Sequence, residues 1–327
     1  MLLAVAAARV DWPAVSATLG AGAWKLVALA AVAYAGSSVA KALTWQGLLV
    51  GLPAGRGRSG RLDLVVPLFV GALVNGVALA RAGDAVKVAL AHRRAARRGA
   101  PISVADLAGA MLAEHVVATV AWAVLVLAVA AVAPMPPAVT LAAAALGLVC
   151  AGFAVTTAAR APGACGCRLG DDPAPWRRAL RAVGRAWEAV HHSHRGLGRP
   201  RVLAWVSAAA LAQWVLAWLA VMVVLAALGL GRVGPAGAAL VLVSLTLAHA
   251  LPITPGGIGV NQVGAMLPLT ATYGVMPEEA LAFAVALTLS ETGVGMLLGG
   301  ACAIVEAAGR GRTDGGRLAP APVADSS

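Results

Sequence analysis

Arg81, Asp84 and Lys87 follow one another at helical i, i+3 spacing, with Asn75 shortly upstream. One helix face could thus present two cations around one carboxylate. Such a face suits a phosphate group, which arginine grips through its planar fork. The same residues also compose an ordinary basic anchor with a local ion pair. Glu114 and His115 lie about two turns into the next apolar run, counting from Asp106 at ~1.5 Å per residue. Glu114 either neutralises Arg81 or Lys87 across a helix interface or sits near the membrane surface and meets water. Glu291, beside Ser290, Thr292 and Gly293, falls about halfway along the apolar run 279–306. A carboxylate at that depth is protonated or partnered, and intramembrane ionisable groups are functional candidates.

Residues 251–262 read Leu-Pro-Ile-Thr-Pro-Gly-Gly-Ile-Gly-Val-Asn-Gln inside a long apolar stretch. Pro252 and Pro255 lack a backbone donor, and Gly256, Gly257 and Gly259 favour non-helical angles. In lipid, freed backbone groups are tolerated only where protein buries them or where they line a cavity. Transporters place such helix breaks at substrate sites. Thr254, Asn261 and Gln262 could bind a ligand there or satisfy the freed carbonyls.

Other chemistry is not indicated. Cys165, Cys167, His191, His192 and His194 match no closed zinc spacing. No nucleophile elbow, phosphate loop or paired-acid arrangement occurs, so neither catalysis nor a cofactor or metal is expected.

The elements that must hold these residues are membrane helices. Hydrophobic residues make up 60% of the 327 and charged ones 12%, and several apolar runs reach the roughly 20 residues that span a bilayer. The expected fold is all-α: a polytopic helical membrane protein with its multi-pass domain in the cell membrane. The net charge of +11 does not indicate nucleic-acid binding, because its cations gather in two loops and the tail, as cytoplasmic segments do. Expected crossings are 24–50, 102–132, 138–159, 202–228 and 279–306. Basic flanks on both sides of 62–80 point to a re-entrant hairpin, and 235–273 dips in and returns around the Pro/Gly break. Residues 24–133 and 202–306 then read alike but enter from opposite sides, an inverted repeat with the site at its interface. The C-terminus is expected in the cytoplasm, with 309–327 a disordered tail.

Loop 160–201 carries nine arginines and the clearest amphipathic helix, 175–190. Trp176, Leu180, Val183, Trp187 and Val190 form one apolar stripe, and Arg177, Arg178, Arg181 and Arg185 fill the other side. The helix lies on an anionic leaflet or caps the transmembrane bundle.

Three stretches together resemble the membrane domain of lysylphosphatidylglycerol synthases and its stand-alone, flippase-like relatives. The family form N…PaRaGE..R is similar to Asn75-Gly-Val-Ala-Leu-Ala-Arg81-Ala-Gly-Asp84-Ala-Val-Lys87, its ER pair to Glu114-His115, and PisPGGlGv.E to the stretch 252–262. Leu79 stands for proline, Asp84 for glutamate, Lys87 and His115 for arginine, and Gln262 for a carboxylate. The resemblance implies one flippase-like membrane domain over 24–308, preceded by 1–23 as the remnant of a first membrane helix. It implies translocation of a phosphate-bearing lipid, either an anionic phospholipid or a polyprenyl-phosphate-linked precursor. Asn75, Arg81, Asp84, Lys87, Glu114, His115 and Glu291 would line the headgroup path. Synthase activity is not implied, since no soluble aminoacyl-transferring domain is recognised. The alternative is a non-transporting scaffold that docks an envelope-biosynthesis enzyme. A membrane-embedded transferase of polyprenyl-linked sugars is weaker, with only Asp84 and Glu114 as candidate acids.

Overall fold

A computed structural model of the chain describes residues 23–50, 64–78, 82–99, 102–159, 175–249, 257 and 259–315, of which 175–183, 186 and 309–315 are described by backbone alone. Every regular element among them is helical. In chain order they are Ala23–Leu49 (α1), Val65–Val77 (α2), Ala82–Arg97 (α3), Val104–Val132 (α4), Pro137–Ala159 (α5), Pro175–Gly196 (α6), Pro200–Ala227 (α7), Gly234–His249 (α8), Val260–Tyr273 (α9), Pro277–Thr288 (α10) and Val294–Gly315 (α11). A 3-10 turn, Gly231–Val233, leads into α8, and a π turn, Leu289–Gly293, joins α10 to α11. Six segments are long and apolar enough to cross a membrane: α1, α4, α5, α7, Gly231–His249 and Pro277–Ala308. The chain is therefore an all-helical, multi-pass membrane protein.

The helix boundaries follow local chemistry. Ser103 caps α4 by accepting the Asp106 N–H at 3.0 Å, which satisfies a donor that no helical carbonyl can reach. Proline opens α7 and α10 at the first turn, where its missing donor costs nothing. Glu278 and Glu279 sit in the first turn of α10, favourably placed against the helix dipole. Gly274 closes α9 in the left-handed conformation with φ 60°.

Close packing in lipid rests on small residues, because there is no hydrophobic drive between helices within a bilayer. One core cluster joins α1, α4, α7, α8, α9 and α10 through Ala217, Ala220, Val221, Ala239, Ala284 and the fully buried Phe283. A second, nearer the other end of α1, gathers Trp45, Leu48, Val88, Leu107, Val190 and Val206. Trp45 within it donates its indole N–H to the Leu107 carbonyl at 3.2 Å.

Two pairs of helices fold back on each other across interrupted backbone. Between α2 and α3 the backbones nearly touch: a methyl on Gly71 would lie 2.7 Å from the Gly83 carbonyl oxygen. Between α8 and α9, a methyl on Gly264 would come within 2.9 Å of the Ala248 side chain. At α2 only 13 residues are helical, too few to span a bilayer. By contrast Gly231–His249 has 19 and reaches that length on its own.

Two sequence-based boundaries move. The amphipathic helix expected over 175–190 continues to Gly196, because His191–Arg195 contains no breaker and packs against α5. Helix α11 runs to Gly315, so residues 309–315 of the expected disordered tail are helical, and the remainder lies outside the described residues.

Candidate functional site

A cavity of about 380 Å³ opens between the two interrupted hairpins. Its wall takes Tyr34, Ser37, Ser38 and Lys41 from α1, Asn75 from α2, Lys87 from α3 and Gln213 from α7. Thr246 and His249 of α8, Gly257, Asn261 of α9 and Glu291 and Thr292 of the π turn complete the polar part. Polar side chains so concentrated between apolar helices mark a site in a membrane protein.

The α2–α3 side is tightly built. Asn75 Oδ1 accepts the Gly83 N–H at 2.7 Å, and Asn75 Nδ2 donates to Asp84 Oδ1 at 3.4 Å. Lys87, almost fully buried, donates to the same oxygen at 2.6 Å. Asn75 therefore serves the backbone at the break while Asp84 holds the lysine. Gly83 has to be glycine: a methyl there would overlap the Gly71 carbonyl oxygen and come within 2.6 Å of Asn75 Oδ1.

Glu114 departs from one of its two sequence expectations, contact with water. It is only 1% exposed, so it does not meet water, and its oxygen Oε2 lies 3.7 Å from Lys41 Nζ and 3.3 Å from His115 Nδ1. Its close ion pair among the described residues is with Lys41 on α1, which packs beside α4, while Lys87 feels the same carboxylate from farther away. Its other oxygen, Oε1, is buried with no hydrogen-bond partner among the described residues. His115 Nδ1 also faces the Met111 carbonyl at 2.7 Å.

The opposite wall is organised by the π turn. Single π turns within α-helices often occur at functional sites, where the extra residue re-aims a side chain. Glu291 projects from it with Oε1 3.9 Å from His249 Nε2, at the last turn of α8. Ser290 anchors the turn by donating to the Ala286 and Val27 carbonyls. The end of α2 reaches the same place, since a methyl on Gly76 would contact Thr292 and Met296. Both interrupted hairpins thus end against one turn.

At the second break, Gly257 (φ 68°) and Gly259 (φ 91°) hold backbone angles that other residues rarely adopt. Gln262 turns back so that its Oε1 accepts the Gly259 N–H, and its Nε2 donates to Thr288 at 3.1 Å. That amide therefore serves a freed N–H of the break rather than the freed carbonyls expected from sequence. Asn261 faces the cavity and is buried, with Oδ1 unpartnered among the described residues. Arg81, Pro252, Thr254, Pro255 and Gly256 lie outside the described residues.

Helix α6 stands apart from the cavity. The side chains of Trp176, Arg177, Arg178 and Arg181 lie outside the described residues, while Arg185 is exposed. From Trp187 onward the helix docks on the bundle. The Trp187 ring meets Phe153 and His191 edge-on at 5.6 and 5.1 Å, and His194 Nδ1 contacts the Thr157 hydroxyl at 2.6 Å. The capping reading holds for this half. Burial, above all, pushes the His194 imidazole down to about 4.

Lys41, His249, Tyr34 and Gln213 were not singled out from sequence. Lys41 was legible, being a charge deep within the apolar run 24–50, whose other charge, Lys25, lies at its start. His249 sits directly before the 251–262 break and carried the same signal.

A family model described as the lysylphosphatidylglycerol synthase TM region matches residues 1–299 of the chain. Neither the curated proteins nor the solved structures contain a match.

Proposed function

The chain belongs to the lysylphosphatidylglycerol synthase TM region family, and from that premise we propose that it moves a phosphate-bearing lipid across the membrane. The observation that carries this reading is the polar cavity between the two interrupted hairpins, with Lys41 and Lys87 in its wall. Each ammonium is held by a carboxylate, Glu114 or Asp84, that a phosphate could replace as counter-ion. Asn75 and Asn261 offer neutral hydrogen bonds on either side. Arg81, next to Ala82 at the start of α3, would add a third cation on the cytoplasmic side.

In this reading the two hairpins are re-entrant and belong to an inverted repeat. The basic residues that follow α1 (Arg56, Arg58 and Arg61) set its C-terminal end in the cytoplasm. Lys41 lies two turns, about 10 Å, closer to that end than Tyr34. The lysines would therefore meet a headgroup on the cytoplasmic side of the path, and the π turn would meet it on the outer side. The acyl or polyprenyl chains would stay in lipid while the headgroup passes between the repeats. The C-terminus is cytoplasmic, and the arginines at the start of α6 lie near the anionic surface of the same leaflet.

Reconstitution into vesicles containing a fluorescent anionic phospholipid tests the proposal. The wild type is expected to move the label between leaflets, and Lys87→Ala to slow it at least about tenfold, the loss of one charge-assisted contact. A wild type that binds lipid but moves none would favour the scaffold reading.

A further inference from the structure

We propose that Glu291 is a proton-binding site that couples lipid movement to a pH gradient, an inference that rests on the transport reading above. Three observations place it there. Glu291 is carried by the π turn Leu289–Gly293, the one interruption in the helix Pro277–Gly315, and its side chain opens into the cavity with 36% exposure. A histidine, His249, stands 3.9 Å from it, so the carboxylate has a partner whose own charge depends on a proton, and Tyr34 also feels its charge. The fixed cations are held elsewhere: Lys41 stands against Glu114, and Lys87 against Asp84. Glu291 therefore has no described permanent cation that would lock it in the charged form.

The other titratable or charged groups in the cavity wall are Tyr34 and Lys41 from α1 and Lys87 from α3. On the helices joined by the turn, Glu278 and Glu279 lie at the opposite end of α10. Glu306 of α11 is held by Arg94 and Arg97. A phosphate anion entering the same cavity raises the cost of a second negative charge on Glu291. Its entry therefore favours transfer of a proton from water on the outer side to a Glu291 carboxylate oxygen, giving the neutral acid. When the phosphate leaves toward the cytoplasm, the proton is released to water on that side and the carboxylate is restored. Proton and phosphate cross together, in the same direction.

The test uses full-length protein in phosphatidylcholine vesicles containing labelled phosphatidylglycerol. Acidifying the outside relative to the lumen is expected to speed movement of the label from the outer leaflet by about fivefold, the lower end of ordinary coupling between sites. A lumenal pH dye should report proton entry that depends on the anionic lipid. Glu291→Gln is expected to abolish the acceleration. It should also remove one carboxyl from the protonated-acid band seen by infrared difference spectroscopy on acidification, a readout that survives even if this variant moves no lipid. Equal wild-type rates with and without the gradient, an undiminished acceleration in E291Q, or an unchanged acid band would each overturn the inference. Absence of any wild-type lipid movement would instead overturn the transport reading itself, and coupling with it.

Discussion

The ammonium of Lys41 on α1 lies 3.7 Å from a carboxylate oxygen of Glu114 on α4, and that carboxylate is almost wholly enclosed by protein. Two spans are thus joined by a charge pair beside the cavity. Removing one partner of a buried pair strands the other, at a cost of roughly 3 kcal/mol, whereas removing both charges costs far less. Lys41→Ala is expected to lower the thermal midpoint in detergent clearly. Lys41→Met combined with Glu114→Gln should recover most of that loss. A double variant as unstable as the single one would contradict the pairing.

Gly83 offers a sharper structural test. Its α-hydrogen side faces the Gly71 carbonyl and the Asn75 amide so closely that no methyl fits. Gly83→Ala should force α2 and α3 apart and destabilise the protein by about 2–3 kcal/mol, as overpacked sites do. A methyl at Gly152 on α5 meets no atom within 4 Å, so Gly152→Ala should be neutral or slightly stabilising. The comparison is read from unfolding midpoints of both variants.

The docking of α6 carries a pH dependence. His194 is buried and its imidazole is pushed down to about 4, below the ordinary value near 6.5. As pH falls through 6.5, the unfolded chain takes up a proton that the folded chain refuses. Stability from this residue is therefore full above pH 6.5 and declines toward pH 4, by about 2 kcal/mol at pH 5. His194→Gln, which keeps a hydrogen bond to Thr157 possible, should flatten the fall in unfolding midpoint between pH 7 and pH 5. An unchanged slope would mean that another group dominates it.

Much of this architecture was legible in the chain itself. Apolar runs located the long helices to within a few residues, because a helix in lipid has little freedom in length. Proline and glycine at 252–259 announced a break, and Asn75 to Lys87 announced a polar face. What sequence could not supply was the partner of each charge. Glu114 pairs with Lys41, which is distant in sequence and brought close only by the packing of α4 on α1. The π turn at Leu289–Gly293 was likewise hidden: one extra residue per turn leaves no mark on hydropathy, yet it turns Glu291 toward His249. Helix α6 shows a third limit. A stripe of tryptophan and valine beside arginines fits a lipid surface and a protein surface equally, and only the contacts of Trp187 and His194 with α5 distinguish them.

A cavity that passes lipids by their phosphate, as proposed, must discriminate between headgroups. The most direct measurement compares two labelled lipids in the same reconstituted vesicles, one anionic phospholipid and one phosphate-free diacylglycerol analogue with matched chains and a hydroxylated headgroup. Leaflet exchange of each is followed with wild-type protein and with Lys87→Ala. Wild-type protein is expected to accelerate exchange of the phosphate-bearing lipid above protein-free vesicles and to leave the analogue at its protein-free rate, and the Lys87 variant to lose the acceleration. Equal acceleration of both lipids, or acceleration of neither, would contradict the proposal.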